Sequence, residues 1–111
     1  MKNPKYQIFM GDNNQYYFRL RAENGEIILA SEGYVAKDGC ENGISSVKEN
    51  APSDERYKRE DSEDGQYYFN LVAANGEIIG TSEMYTTKQA RDNGIEAVKR
   101  VAPDAPTEDL A

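Results

Sequence analysis

Residues 16–22 alternate in character. Tyr16, Phe18, Leu20 and Ala22 fall on one side, and Tyr17, Arg19 and Arg21 on the other. A period of two marks a half-buried strand, because successive side chains leave opposite faces of an extended backbone. Asn24-Gly25 follows at once. That dipeptide suits a two-residue type I′ hairpin turn, in which both central residues take positive φ. Such a turn fixes the return register. On the core face it sets Ala22 opposite Ile27, Leu20 opposite Leu29 and Phe18 opposite Ser31; on the other face, Arg21 opposite Ile28, Arg19 opposite Ala30 and Tyr17 opposite Glu32. Upstream, Tyr6-Gln7-Ile8-Phe9-Met10 reads as a first strand and residues 11–14, Gly-Asp-Asn-Asn, as a turn. Downstream the period changes. Cys40, Ile44, Val47 and Ala51 recur at helical spacing, and Pro52 ends the run.

The same order then returns with every residue number raised by 51. Gln15-Tyr16-Tyr17-Phe18 recurs as Gln66-Tyr67-Tyr68-Phe69, and Asn24-Gly25-Glu26-Ile27-Ile28 as Asn75-Gly76-Glu77-Ile78-Ile79. Ser31-Glu32 and Tyr34 recur as Ser82-Glu83 and Tyr85; Asn42-Gly43-Ile44 and Ala51-Pro52 recur as Asn93-Gly94-Ile95 and Ala102-Pro103. All eight tyrosines fall into repeat-related pairs, Tyr6 with Tyr57 among them. Two tandem units, 1–54 and 55–111, are therefore expected in one domain. In the second unit Phe69, Leu71, Ala73, Ile78 and Gly80 face the core, and Tyr68, Val72, Ile79, Thr81 and Glu83 face away. Ile95, Val98 and Ala102 continue the second helix, with Ala90 or Arg91 leading. Thr86 with Gln89 fits a capping box, and Thr87 competes as N-cap.

The copies differ most at their first strands, where Ile8-Phe9-Met10 becomes Arg59-Glu60-Asp61. Charge there suits a strand at a sheet edge, since it discourages pairing with other chains, and a frayed linker is the alternative. Gly43 and Gly94 stand inside the helices, where glycine costs about 1 kcal/mol relative to alanine. Close packing of helix backbone on the sheet would account for both. One unit of this size makes only a marginal core. The fold class is therefore α+β: two tandem βββα(β) units forming one antiparallel sheet, with both helices on one face. A linked pair imitates a homodimer of single units, so a monomer is favoured over a homodimer.

Composition narrows the chemistry. A net charge of −7 argues against nucleic acid, which is held largely by Lys and Arg on phosphate, and against an anionic membrane surface. The chain has no histidine and one cysteine, Cys40. That removes the usual general base near neutral pH, any internal disulfide and any cysteine metal cluster. No cofactor and no metal are expected. Met1 leads into polar residues rather than an apolar segment, which points to the cytoplasm. Asp61-Ser62-Glu63-Asp64-Gly65 shares the composition of a calcium loop but not its spacing, so a solvated turn is expected. No P-loop, nucleophile elbow or dinucleotide fingerprint is present.

The run Tyr-Phe-Arg-Leu-x-Ala-x-Asn-Gly-Glu-Ile-Ile at 17–28, Ser-Glu-x-Tyr at 31–34 and Asn-Gly-Ile-x-x-Val-Lys at 42–48 resembles the YegP-like family of small bacterial proteins. The resemblance implies β3-αβ units sharing one sheet, with the strand after each helix exchanged between units. Residues 55–62 would be the first such strand and 107–110 the second. The family's biochemical role is uncharacterised, so the resemblance implies no catalytic residue. Asn70 stands where the first copy has Arg19, and Met84 where it has Gly33.

Two function classes follow. With helices on one face, Tyr17, Arg19 and Arg21 with Tyr68 would remain on an open face, and tyrosine and arginine are favoured at protein interfaces. A non-enzymatic protein- or peptide-binding module, using that face or an edge strand, is the primary reading. The alternative is a small-ligand site or enzyme using the acid and phenol pairs Glu32/Tyr34 and Glu83/Tyr85, where a buried glutamate with raised pKa could act as base. A structural or stress-related protein without a dedicated site is the third.

Overall fold

The computed structural model describes residues 3–111. The alternating segments form strands β1 (Lys5–Met10), β2 (Tyr16–Arg21) and β3 (Ile27–Ala30), and helix α1 spans Lys37–Asn50. A single 3-10 turn at Asp54–Arg56 leads into β4 (Tyr57–Asp61). Strands β5 (Tyr67–Val72) and β6 (Ile78–Thr81), helix α2 (Lys88–Val101) and a short β7 (Thr107–Asp109) complete the chain. The seven strands form one sheet in the order β4-β5-β6-β3-β2-β1-β7. All neighbours are antiparallel except β1 and β7, which run parallel.

The strand after each helix joins the other unit. β4 follows α1 and pairs with β5, while β7 follows α2 and returns to β1. Two buried hydroxyls repeat that exchange. Tyr6 Oη donates to the Ala102 carbonyl at the end of α2 (2.8 Å), and Tyr57 Oη to the Ala51 carbonyl at the end of α1 (2.7 Å). Each first-strand tyrosine thus pairs one of the carbonyls that a helix end leaves without an intrahelical donor.

At the seam the two central strands meet through one residue pair, Ala30 with Thr81. Side chains related by the repeat crowd each other there. Leu29 is fully buried and leans over Gly80, where a Cβ would lie 2.7 Å from its Cγ. One leucine fills the space that two could not share, which explains why Leu29 has become Gly80 in the second copy.

The hairpin turns differ from the two-residue type I′ form. Gly25 and Gly76 take positive φ (84° and 88°), but Asn24 and Asn75 do not. Gly25 N–H donates to the Ala22 carbonyl and Ala22 N–H to the Glu26 carbonyl, both at 2.9 Å. This is the three-residue loop, a type I turn closed by a left-handed glycine. Leu20 pairs with Leu29 and Arg19 with Ala30 as the alternation requires, but Arg21 pairs with Ile27 instead of Ile28. The extra residue makes a bulge, which turns neighbouring side chains to one face. Ile28 consequently joins the core and Ile79 packs against it, where both were expected on the outer face. Ile78, expected inside, is 47% exposed.

The helix glycines have a common partner. Tyr34 and Tyr85 follow β3 and β6 and bridge by backbone to Tyr16 and Tyr67. Their rings then lie under Gly43 and Gly94. A Cβ on Gly43 would press on the Tyr34 hydroxyl and sit 2.9 Å from Cζ and 3.0 Å from Phe18 Cε2. Gly43→Ala should therefore lower stability by about 1–3 kcal/mol, despite about 1 kcal/mol of better helix propensity. Urea unfolding would read this, and adding Tyr34→Phe should recover part of the loss. A more stable Gly43→Ala protein would show that the ring moves aside freely.

Thr87 caps α2, its Oγ1 accepting from Ala90 N–H at 3.0 Å, so the Thr86 capping box does not form. Arg91 takes the buried place that Cys40 holds in α1. Among the described residues no helix is long and apolar enough to cross a membrane.

Candidate functional site

Both helices cover one face of the sheet and leave the other open. On that outer face one row of directly paired residues crosses all seven strands: Lys58, Asn70, Thr81, Ala30, Arg19, Gln7 and Glu108. Alternation in β2 and β5 places Tyr17, Arg19 and Arg21, with Tyr68, on this face, as the sequence indicated.

The two halves of the row are unequal. In the first unit Phe9 and Tyr17 stack with ring centres 5.7 Å apart, and the Arg19 guanidinium carbon lies 4.5 Å from the Phe9 ring centre. Such cation–ring contacts contribute about 0.5–2 kcal/mol, according to how much water they exclude. Tyr17 Oη accepts from Asn13 Nδ2 at 2.9 Å. Arg19 Nε and Arg21 Nε both donate to Gln7 Oε1, at 2.8 and 2.7 Å. Gln7 Nε2 donates to Glu108 Oε1 at 2.7 Å, which orients the amide so that its oxygen faces the two arginines. Arg21 also donates to the Gly25 carbonyl at 2.7 Å. In the second unit Asn70, whose Oδ1 accepts from Thr81 Oγ1 at 2.8 Å, and the apolar Val72 replace the two arginines, while Lys58, Glu60 and Tyr68 stand for Gln7, Phe9 and Tyr17.

Arg19 and Arg21 share one neutral oxygen, and neither has a carboxylate within 4.0 Å among the described residues. Burial, reinforced by the Arg21 charge, lowers the Arg19 pKa. Two adjacent guanidiniums form a site that a carboxylate would stabilise by bidentate, charge-assisted hydrogen bonds. Gln7 and Phe9 were not singled out from sequence. The signal was the alternation of residues 6–10, which turns both toward the outer face, but their partners depend on the β1–β2 register.

The members of each acid and phenol pair differ in exposure. Glu32 and Glu83 are exposed, whereas Tyr34 and Tyr85 are half-buried on the helix side. Tyr34 stacks on Phe18 with ring centres 6.4 Å apart. Burial first, then Cys40 and Glu32, raise the Tyr34 pKa; burial first, then Glu26 and Glu83, raise that of Tyr85. Across the units, Arg21, Glu26, Ile27, Glu83, Met84 and Tyr85 line an open cleft of about 440 Å³. Cys40 is fully buried, and burial pushes its thiol up to about 11, so little reactive thiolate forms near neutral pH. The acidic loop after β4 is a tight turn, with Gly65 at φ 83° and Ser62 Oγ donating to Asp64 Oδ1.

Comparison with known proteins gives this architecture a family. The family model described as "Domain of unknown function (DUF1508)" matches twice, over residues 12–57 and 62–109. A UPF0339 protein of Bordetella pertussis is 54% identical over 104 residues, covering 94% of each chain. The UPF0339 protein YegP of Escherichia coli is 48% identical over 94 residues, 85% of this chain and 86% of that one. A solution NMR structure of YegP from E. coli, described as a protein of unknown function, superposes with a TM-score of 0.92 at 42% identity, covering 99% of this chain and 95% of that chain. The NMR structure of a UPF0339 protein from Shewanella oneidensis gives 0.91 at 46% identity, over 96% and 91%. The relatives carry no assigned activity in their names. The chain belongs to the DUF1508 family, as a two-unit member similar to the bacterial UPF0339 proteins such as YegP.

Proposed function

We propose that this protein is a non-enzymatic binding module of the cytoplasm that engages a protein or peptide through the open face of its sheet. The observation that carries the reading is the cluster of Phe9, Tyr17, Arg19 and Arg21. It joins a stacked aromatic pair to two guanidiniums that have no carboxylate within 4.0 Å among the described residues, on the face that the helices leave open. Preformed aromatic and arginine anchors of this kind carry most of the energy at protein interfaces. The fitting partner presents an acidic side chain beside an apolar contact. The chain's net charge of −7 keeps indiscriminate acidic proteins away, so short-range fit has to select the partner.

Tyr17→Ala with Arg19→Ala tests this. Immobilised wild type and variant are compared for the proteins they retain from the native host, with circular dichroism confirming that both fold. The variant should lose the partners that wild type retains; identical retained sets would remove the face from consideration. A second reading, a small-ligand site, rests on the cleft where Arg21, Glu83 and Tyr85 meet. Glu83→Gln, and not the face variant, would abolish binding there.

A further inference from the structure

One edge of the sheet displays what it accepts. β7 lies parallel to β1, with Tyr6 N–H donating to the Pro106 carbonyl and Leu110 N–H to the Ile8 carbonyl, both at 2.8 Å. Three side chains hold its acids. Lys5 Nζ lies 3.2 Å from Glu108 Oε1, Gln7 Nε2 donates to the same oxygen, and Lys37 Nζ donates to Asp109 Oδ2 at 2.8 Å. β7 is exposed along its length, so these polar contacts and the backbone ladder hold it rather than apolar burial.

The opposite edge is β4, which among the described residues pairs only with β5. Adding 51 to Lys5, Gln7 and Lys37 gives Arg56, Lys58 and Lys88. Arg56 lies in the 3-10 turn before β4, where its Nε donates to Asn50 Oδ1 at 2.9 Å, which leaves Lys58 and Lys88 as the holding cations on that edge. Lys88 sits as Lys37 does: its Nζ is 5.9 Å from the Tyr67 ring centre, against 5.8 Å from Lys37 to Tyr16. Among the described residues, none of Arg56, Lys58 and Lys88 has a carboxylate within 4.0 Å. Tyr57 N–H is already taken by the Asp54 carbonyl. Arg59 is the position equivalent to Ile8, whose carbonyl takes Leu110 N–H, and among the described residues no strand lies beyond β4. Arg59 itself is held by Asp54 and Asp92. Glu60 and Asp61 end the basic stretch, which matches the change from acids to Leu110 beyond β7.

We propose that the β4 edge is a second binding surface, separate from the open face, which takes an acidic extended segment of a partner protein as an eighth, parallel strand. Its acids would rest on Lys58 and Lys88, as those of β7 rest on Gln7 and Lys37. Added strands of this type gain affinity from main-chain hydrogen bonds and selectivity from alternate side chains.

The probe is a peptide of the chain's own tail, Ala-Pro-Thr-Glu-Asp-Leu-Ala, titrated into the full-length protein and followed by amide NMR. Shifts should centre on Lys58, Arg59 and Lys88 and weaken as salt rises. Lys58→Glu with Lys88→Glu should abolish them. The milder Lys58→Gln with Lys88→Gln should weaken binding about 10-fold. A Lys-Lys peptide in place of Glu-Asp should not bind, and Tyr17→Ala with Arg19→Ala should bind as wild type does. Loss of binding in that face variant would move the site to the sheet face and overturn the proposal. Shifts confined to β1 would mean that the peptide merely displaces β7, as a second copy's tail would, and would also overturn it. So would no shift at millimolar peptide.

Discussion

Phe69→Ala should remove about 3–5 kcal/mol of stability and weaken both units together. Phe69 is fully buried, packed edge-on against Tyr57 with ring centres 5.7 Å apart. Single domains are stable by only about 5–15 kcal/mol, so the loss is a large share of the total. It cannot stay within the second unit. Unfolding β4 and β5 would strip Tyr57 from the Ala51 carbonyl of α1, and releasing α2 would strip Tyr6 from the Ala102 carbonyl. Each orphaned buried carbonyl costs about 1–3 kcal/mol. Thermal unfolding followed at once by far-ultraviolet dichroism and tyrosine fluorescence should give one shared midpoint, shifted down. Two separated transitions would mean that the units fold independently.

Stability should also collapse in alkali. Burial raises the pKa of both Tyr6 and Tyr57 well above the usual phenol value; Tyr57 adds to the rise at Tyr6, and Glu96 and Asp54 add to it at Tyr57. The unfolded chain loses these protons near pH 10, whereas the folded chain keeps them. The stabilisation they contribute is therefore complete below about pH 10 and is lost progressively as pH rises toward the folded values. Two such groups cost about 2.7 kcal/mol per pH unit, or about 4 kcal/mol by about pH 11.5. Tyr34 and Tyr85 shift in the same direction. Tyr6→Phe with Tyr57→Phe should be less stable near neutrality, by about 1 kcal/mol for each lost hydrogen bond, yet flatter with pH. The wild-type and variant curves from urea unfolding should converge in alkali; parallel curves would contradict the assignment.

Much of this fold was legible because the repeat shows each pattern twice. The alternation around Phe18 and Leu20 placed the core face, and the pairing of Leu20 with Leu29 and Arg19 with Ala30 followed from it. The charged β4 was readable as an edge. The bulge was not, because Asn-Gly serves both a two-residue loop and a three-residue loop. One residue of difference moves Ile28 from the outer face to the core. β7 has no apolar pattern, and its partners Lys5, Gln7 and Lys37 lie far back in the chain, so only the family resemblance foreshadowed it.

The outer face was legible in part. Tyr17, Arg19, Arg21 and Tyr68 fell where alternation put them, but Gln7 as the hub of both arginines needed the β1–β2 register. The burial of Tyr34 and Tyr85 was not legible, since spacing from an acid along the chain says nothing of the face on which the ring lies. The backbone bridges to Tyr16 and Tyr67 carry them under the helices, where Gly43 and Gly94 make room. The inequality between units, Arg19 against Asn70 and Arg21 against Val72, is what confines the aromatic and arginine cluster to the first half of the face.

The most direct measurement of the central claim is site-specific photo-crosslinking in the native host. A photoreactive phenylalanine analogue replaces Tyr17 on the open face or, separately, exposed Ser45 on α1. A discrete adduct from position 17 that is absent from position 45, and that disappears on adding Arg19→Ala, is the result this account predicts. Equal adducts from both positions, or none from position 17, would contradict it.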